Sequence, residues 1–107
     1  TGSESLTAAC RSARTITGKD RIAVFLNEYH GMADELLVKL QKFKSGKSKT
    51  VPTSPGIPQF LVENVLVLEW DDPNYMDKLR EQADDIAGII ILPAFALNLN
   101  PILSLLF

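Results

Sequence analysis

Arg21-Ile22-Ala23-Val24-Phe25-Leu26 is the stretch on which the fold turns. It follows Gly18-Lys19-Asp20, is too short for a helix, and is apolar at consecutive positions, so it reads as a strand buried on both faces. Immediately upstream, Leu6, Ala9, Cys10, Ala13 and Ile16 recur at intervals of three and four, which draws one apolar stripe along a helix from Ser5 to Thr17, flanked by Arg11 and Arg14. Thr1 and Glu4 stand three apart, as in a capping box, and Gly18 falls where a left-handed C-terminal cap would sit. A helix feeding directly into a doubly buried strand predicts a layered α/β unit.

Downstream, Asn27 to Gly31 reads as a loop. Leu36, Leu37, Leu40 and Phe43 predict a second helix over 33–43, with Lys39, Lys42 and Lys44 toward its negative end. Residues 45–58, with Pro52, Pro55, Pro58 and Gly56, predict a connector through which no core element runs. Val65-Leu66-Val67-Leu68 is the second strand. Asp71-Asp72-Pro73 marks a helix start, with aspartate at the N-cap and proline at the first helical position, and Met76, Leu79, Ala83 and Ile86 space its buried side. Ala87 to Leu92 is the third strand, ended by Pro93. Buried strands separated by helices predict an α/β fold with a mainly parallel three-strand sheet. Three strands that are apolar on both faces need more cover than these helices provide, so residues 1–107 are expected to be a piece of one larger domain.

Charge and composition narrow the function classes. The chain has 107 residues, 46% of them hydrophobic and 22% charged, with a formal charge of −2. Such a composition excludes collagen-like and disordered chains, and its near-neutral balance argues against a protein that coats nucleic acid or an anionic membrane. Cys10 is the only cysteine, no Asn-x-Ser/Thr site occurs, and the first residues lack the order of a signal peptide, so a reducing, cytoplasmic setting is expected. All the charged residues lie before Ile86. The apolar tail over 93–107 is broken by Pro93, Asn98, Asn100 and Pro101, which disfavours a membrane span of about 20 residues. A truncated or frame-shifted end is expected there, with a natural buried extension as the other reading.

Few residues suggest chemistry. Thr1-Gly2-Ser3 opens the first helix, where free backbone N–H groups and the positive dipole end suit an anion, and Gly2 allows close approach. Such a start is also found as a plain cap, and the residues alone leave both readings open. Tyr29-His30-Gly31 follows the first strand, at the edge where open α/β sheets place ligands. Tyr29 offers a face for ring stacking and His30 a donor or acceptor; packing within the loop is the alternative for both. Gly46-Lys47-Ser48 fails as a P-loop, because Gln41 stands where the motif needs glycine. One histidine and one cysteine make no metal set. The pairs Asp71-Asp72 and Asp84-Asp85 read as capping and surface groups.

Taken in order, Thr1-Gly2-Ser3-Glu4, Ala13-Arg14, Thr17-Gly18-Lys19-Asp20-Arg21-Ile22, Tyr29-His30-Gly31 and Ser54-Pro55-Gly56-Ile57-Pro58 resemble consecutive blocks of class III aminotransferases, in the branch of glutamate-1-semialdehyde aminomutase. Val62 to Glu69 is similar to the aminotransferase domains of nonribosomal peptide and polyketide synthases. The resemblance implies part of the three-layer αβα large domain of a fold-type-I enzyme that uses pyridoxal 5'-phosphate. It implies that Gly2 and Ser3 hold the cofactor phosphate, that Tyr29 stacks on its ring, and that His30 lies beside it. It further implies a small amino donor such as glutamate or glutamine, and a carbonyl acceptor that is free, tethered to an acyl carrier domain, or within the same molecule. A homodimer is implied, and the composition adds the expectation of no nucleic acid or membrane partner. The family's cofactor-bonding lysine and ring-nitrogen aspartate match no residue here, and Leu92-Pro93 replaces its Glu-Pro. The chain alone is therefore expected to be inactive. The competing reading is a non-catalytic remnant or interaction module that has lost the cofactor.

Overall fold

The computed structural model describes residues 2–28 and 30–91. Its first helix, α1 (Gly2–Thr17), ends as its sequence dictates: Gly18 takes φ +70° and its N–H bonds the Arg14 carbonyl at 2.9 Å. The Thr1 half of the expected capping box lies outside the described residues. The inward face of α1 runs through Leu6, Cys10 and Ala13, whereas Ala9 is exposed and Ile16 is 84% exposed, so the predicted stripe holds at three of its five positions. Burial pushes the Cys10 thiol pKa up, Glu35 adds to the shift and Arg14 opposes it, which keeps Cys10 a packed thiol and not a nucleophile.

After a short turn the chain enters β1 (Arg21–Phe25), the central strand. It pairs in parallel with β4 (Val65–Leu68) on one side and β5 (Ile86–Ile89) on the other. The parallel three-strand α/β sheet expected from the sequence is therefore present, in the order β4-β1-β5. Alternate residues of β1 serve opposite faces. Ile22 and Val24 join Cys10, Leu36, Val65 and Val67 in one core; Ala23 and Phe25 join Leu68 and Leu79 in the other, under α2 (Tyr75–Gln82). Gly88 lets α1 close on β5, since a Cβ there would already stand 3.5 Å from that of Ala13.

The structure corrects the stretch between β1 and β4. No helix spans 33–43: a single 3-10 turn at Asp34–Leu36 is followed by β2 (Val38–Lys42). Within 45–58, expected to be a bare connector, lies β3 (Ser48–Pro52), which pairs with β2 antiparallel. Gly46, at φ +88°, makes the reversal, and its N–H bonds the Phe43 carbonyl at 3.0 Å. The hairpin seats against β4 through the Thr50 hydroxyl, which donates to the Val65 carbonyl at 2.7 Å, and through a Lys42–Glu69 ion pair of 3.0 Å. It shields an edge that would otherwise be open.

The start of α2 also differs. Asp72 and Pro73 lie in the turn before the helix, with Asn74 at the cap position. Asp72 organises that turn: one carboxylate oxygen accepts the Asn74 N–H at 2.8 Å and the other the Lys78 ammonium at 2.7 Å. The Lys78 hydrogen bond first, then that of Asn74, holds the Asp72 carboxyl below the usual carboxylate range. A carboxyl depressed in the folded state stabilises the fold above its unfolded pKa and loses that contribution as pH falls through its folded pKa. Lys78→Met is therefore expected to lower stability at pH 7 by no more than about 1 kcal/mol. In urea melts the gap from the parent chain should close as the pH drops below the carboxylate range; a gap that persists in acid would reject the pair as its cause.

Candidate functional site at the carboxyl edge of the sheet

The lengths of α1 and β1 decide what meets at the sheet edge. A helix of 16 residues is about 24 Å long, and a strand of five covers about 17 Å. The two are antiparallel and joined by a short turn, so the first turn of α1 reaches beyond the carboxyl end of β1. There it meets the loop that leaves the strand. The Met32 N–H donates to Ser3 Oγ at 2.9 Å, and a Cβ at Gly31 would stand 2.7 Å from the same oxygen and 3.0 Å from Ser3 Cα. Gly31, at φ +82°, is thus required both by its backbone and by the closeness of the helix.

The loop itself is tied to the strand end. Asn27 adopts φ 68°, a left-handed conformation that asparagine tolerates, and the Glu28 N–H bonds the Phe25 carbonyl at 3.3 Å. That carbonyl also faces His30 Nε2 at 3.4 Å; a carbonyl can only accept, so Nε2 donates in this long hydrogen bond. His30 is 5% exposed, and its Nδ1 has no partner among the described residues. Beneath the loop is a cleft of about 120 Å³, walled by Val24, Leu36 and Val67 and bordered by Asn27, Glu28 and His30.

Of the residues singled out in the sequence, Ser3 and the neighbours of Tyr29 are brought together. Gly2 begins the helix and is exposed, with open space where a Cβ would be. Tyr29 lies outside the described residues, as does the Leu92-Pro93 position. His30 is buried in the loop base and anchors it. Asn27 and the Ser3–Met32 bond were not anticipated; the first had no periodic signal, and the second joins residues 29 apart in the chain. Among the described residues no group of three or more His, Cys, Asp or Glu could hold a metal ion, and no helix is long and apolar enough to cross a membrane.

These parts can bind an anion. The N-terminus of a 16-residue helix directs the backbone N–H groups of Gly2 and Ser3 and its positive dipole end toward this edge. Ser3 Oγ accepts from Met32, which leaves its own hydroxyl hydrogen to donate outward. Glycines at 2 and 31 keep side chains out of the approach.

No family model matches the chain. The glutamate-1-semialdehyde 2,1-aminomutase 1 of Macrococcus caseolyticus is 40% identical over 94 residues, covering 86% of this chain and 21% of the relative. That of Polynucleobacter necessarius is 41% identical over 104 residues, covering 92% and 24%. Among solved structures, an omega-transaminase from Sphaerobacter thermophilus superposes with a TM-score of 0.77 at 27% identity, over 98% of this chain and 28% of that one. A transaminase with PLP bound gives 0.70 at 32%, over 87% and 22%. The chain thus spans about a quarter of the length of the proteins it matches.

Proposed function

Because the chain belongs to the family of glutamate-1-semialdehyde aminomutases and class III transaminases, we propose that it forms the phosphate-binding edge of a pyridoxal 5'-phosphate enzyme. The observation that carries this reading is the contact of Ser3 with Gly31 and Met32, which sets a helix N-terminus against the loop holding position 29. Gly2 and Ser3 would receive the cofactor phosphate through backbone N–H groups and the Ser3 hydroxyl. Tyr29, between the anchored Glu28 and His30, would cover the ring, while His30 fixes the loop from below. When bound, the cofactor supplies an electron sink and a carrier for the amino group.

The whole protein would move an amino group from a donor such as glutamate or glutamine to a carbonyl, either on an acyl carrier domain or within one molecule, as a cytoplasmic homodimer. In the resemblance to this family, no lysine of the chain matches the cofactor-bonding position. Purified chain mixed with pyridoxal phosphate and an amino donor is accordingly expected to form no ketone product; measurable turnover would contradict this.

Binding is the direct test. Titration of the 107-residue chain with pyridoxal phosphate, followed by absorbance, is expected to saturate. Ser3→Ala and Tyr29→Ala should each weaken it about tenfold, equivalent to about 1.4 kcal/mol. Saturation unaffected by either substitution, or none at all in the parent chain, would leave the cofactor-free remnant as the better account.

A further inference from the structure

The β2–β3 hairpin carries charge that the cofactor site does not use. Residues 36–62 contain five lysines and no acidic residue, while the rest of the chain holds six basic and thirteen acidic residues, a net charge of −7. Cross-strand pairs share a face in an antiparallel ladder. The pairs Leu40–Thr50 and Lys42–Ser48 belong to the inner face, where Leu40 packs on the core, Thr50 bonds Val65 and Lys42 is taken by Glu69. The pairs Lys39–Val51 and Gln41–Lys49 therefore face outward, and the Phe43 N–H bonds the Lys47 carbonyl at their end. Lys39, Phe43, Lys47 and Lys49 are all exposed, and among the described residues the three lysines make no ion pair.

We propose that this outer face docks an acidic polypeptide surface, such as a helix with carboxylates one turn apart. From Lys39 to Phe43 the face runs about 14 Å, and successive carboxylates at i, i+4 are about 6 Å apart, so two to three of them meet the lysines while Phe43 packs against their stem. A long polyphosphate fits less well, because beyond the hairpin it would meet Asp71, and the lysines of the adjoining groove, Lys42 and Lys78, are already taken by Glu69 and Asp72. The docking face lies outside the cofactor loop and does not depend on the cofactor reading.

The test is fluorescence anisotropy with the full chain and a labelled helical peptide bearing glutamates at i, i+4 spacing. The peptide should bind, with affinity falling about tenfold between low and physiological salt. The triple variant Lys39→Gln, Lys47→Gln, Lys49→Gln should bind it at least about tenfold more weakly. The control Arg11→Gln, Lys19→Gln, Arg80→Gln removes the same charge elsewhere and should change affinity less than about twofold. Circular dichroism checks that each variant is folded. Equal loss in the two triples, or tighter binding of oligo-dT or phosphatidylserine vesicles than of the peptide, would overturn the proposal.

Discussion

Gly31→Ala is expected to lower the stability of the chain by about 2–4 kcal/mol and to abolish saturable binding of pyridoxal phosphate. Two independent effects add. At φ +82° an alanine is strained, which costs about 1–3 kcal/mol. Its Cβ would also stand 2.7 Å from Ser3 Oγ and 3.0 Å from Ser3 Cα. The first contact displaces Ser3 Oγ, which breaks its hydrogen bond with the Met32 N–H. The second atom is backbone, so no rotamer change relieves that contact, and the first turn of α1 must also give by a few tenths of an ångström. Gly46→Ala is the natural comparison: its φ is +88°, yet a Cβ there meets nothing within 4 Å. It should show the strain alone and leave binding intact. Urea melts and the absorbance titration read the two effects separately, and equal behaviour of the two variants would refute the steric argument.

Phe25→Ala should be the most damaging single change, at about 3–5 kcal/mol. Phe25 is fully buried, stacks on Trp70 with ring centroids 3.6 Å apart, and meets the edge of Tyr75 at 5.8 Å. Its removal empties the core beneath α2 and loosens the strand end whose carbonyl holds both Glu28 and His30. Domains of this size are commonly stable by about 5–15 kcal/mol, so the variant should unfold at a much lower urea concentration. Phe25→Leu retains most of the volume and should cost less than about 2 kcal/mol. Trp70 is the only tryptophan, so its emission reports the stack directly. Unchanged emission and midpoint in Phe25→Ala would contradict the packing described.

The parts of the fold legible in the sequence are those with one self-consistent period. Residues 22–25 and Val65–Leu68 are continuous apolar runs, which only a strand covered on both faces can bury. The hairpin is not legible in the sequence because its residues satisfy two periods. Leu36, Leu37, Leu40 and Phe43 fit a helix, while Val38-Lys39-Leu40-Gln41-Lys42 alternates as a strand, and Gly46 between two five-residue segments was the turn signal that separates them. Local pattern cannot choose there; the open edge of β4 does, by offering Thr50 a carbonyl and Lys42 a carboxylate. Pro52 is tolerated because it ends a short strand that is paired on one side.

Residue order alone determined that a helix precedes a buried strand, that Gly18 ends that helix, and that small residues stand at its start. These are local matters, settled by side-chain period and backbone sterics within a few positions. Only the folded chain decided that Ser3 touches Gly31 and Met32, that His30 turns inward to the Phe25 carbonyl, and that Lys39, Lys42 and Lys44 belong to a hairpin instead of a helix end. Contacts across 29 residues depend on how far a helix overshoots the strand it packs on, and no local property of the sequence carries that length.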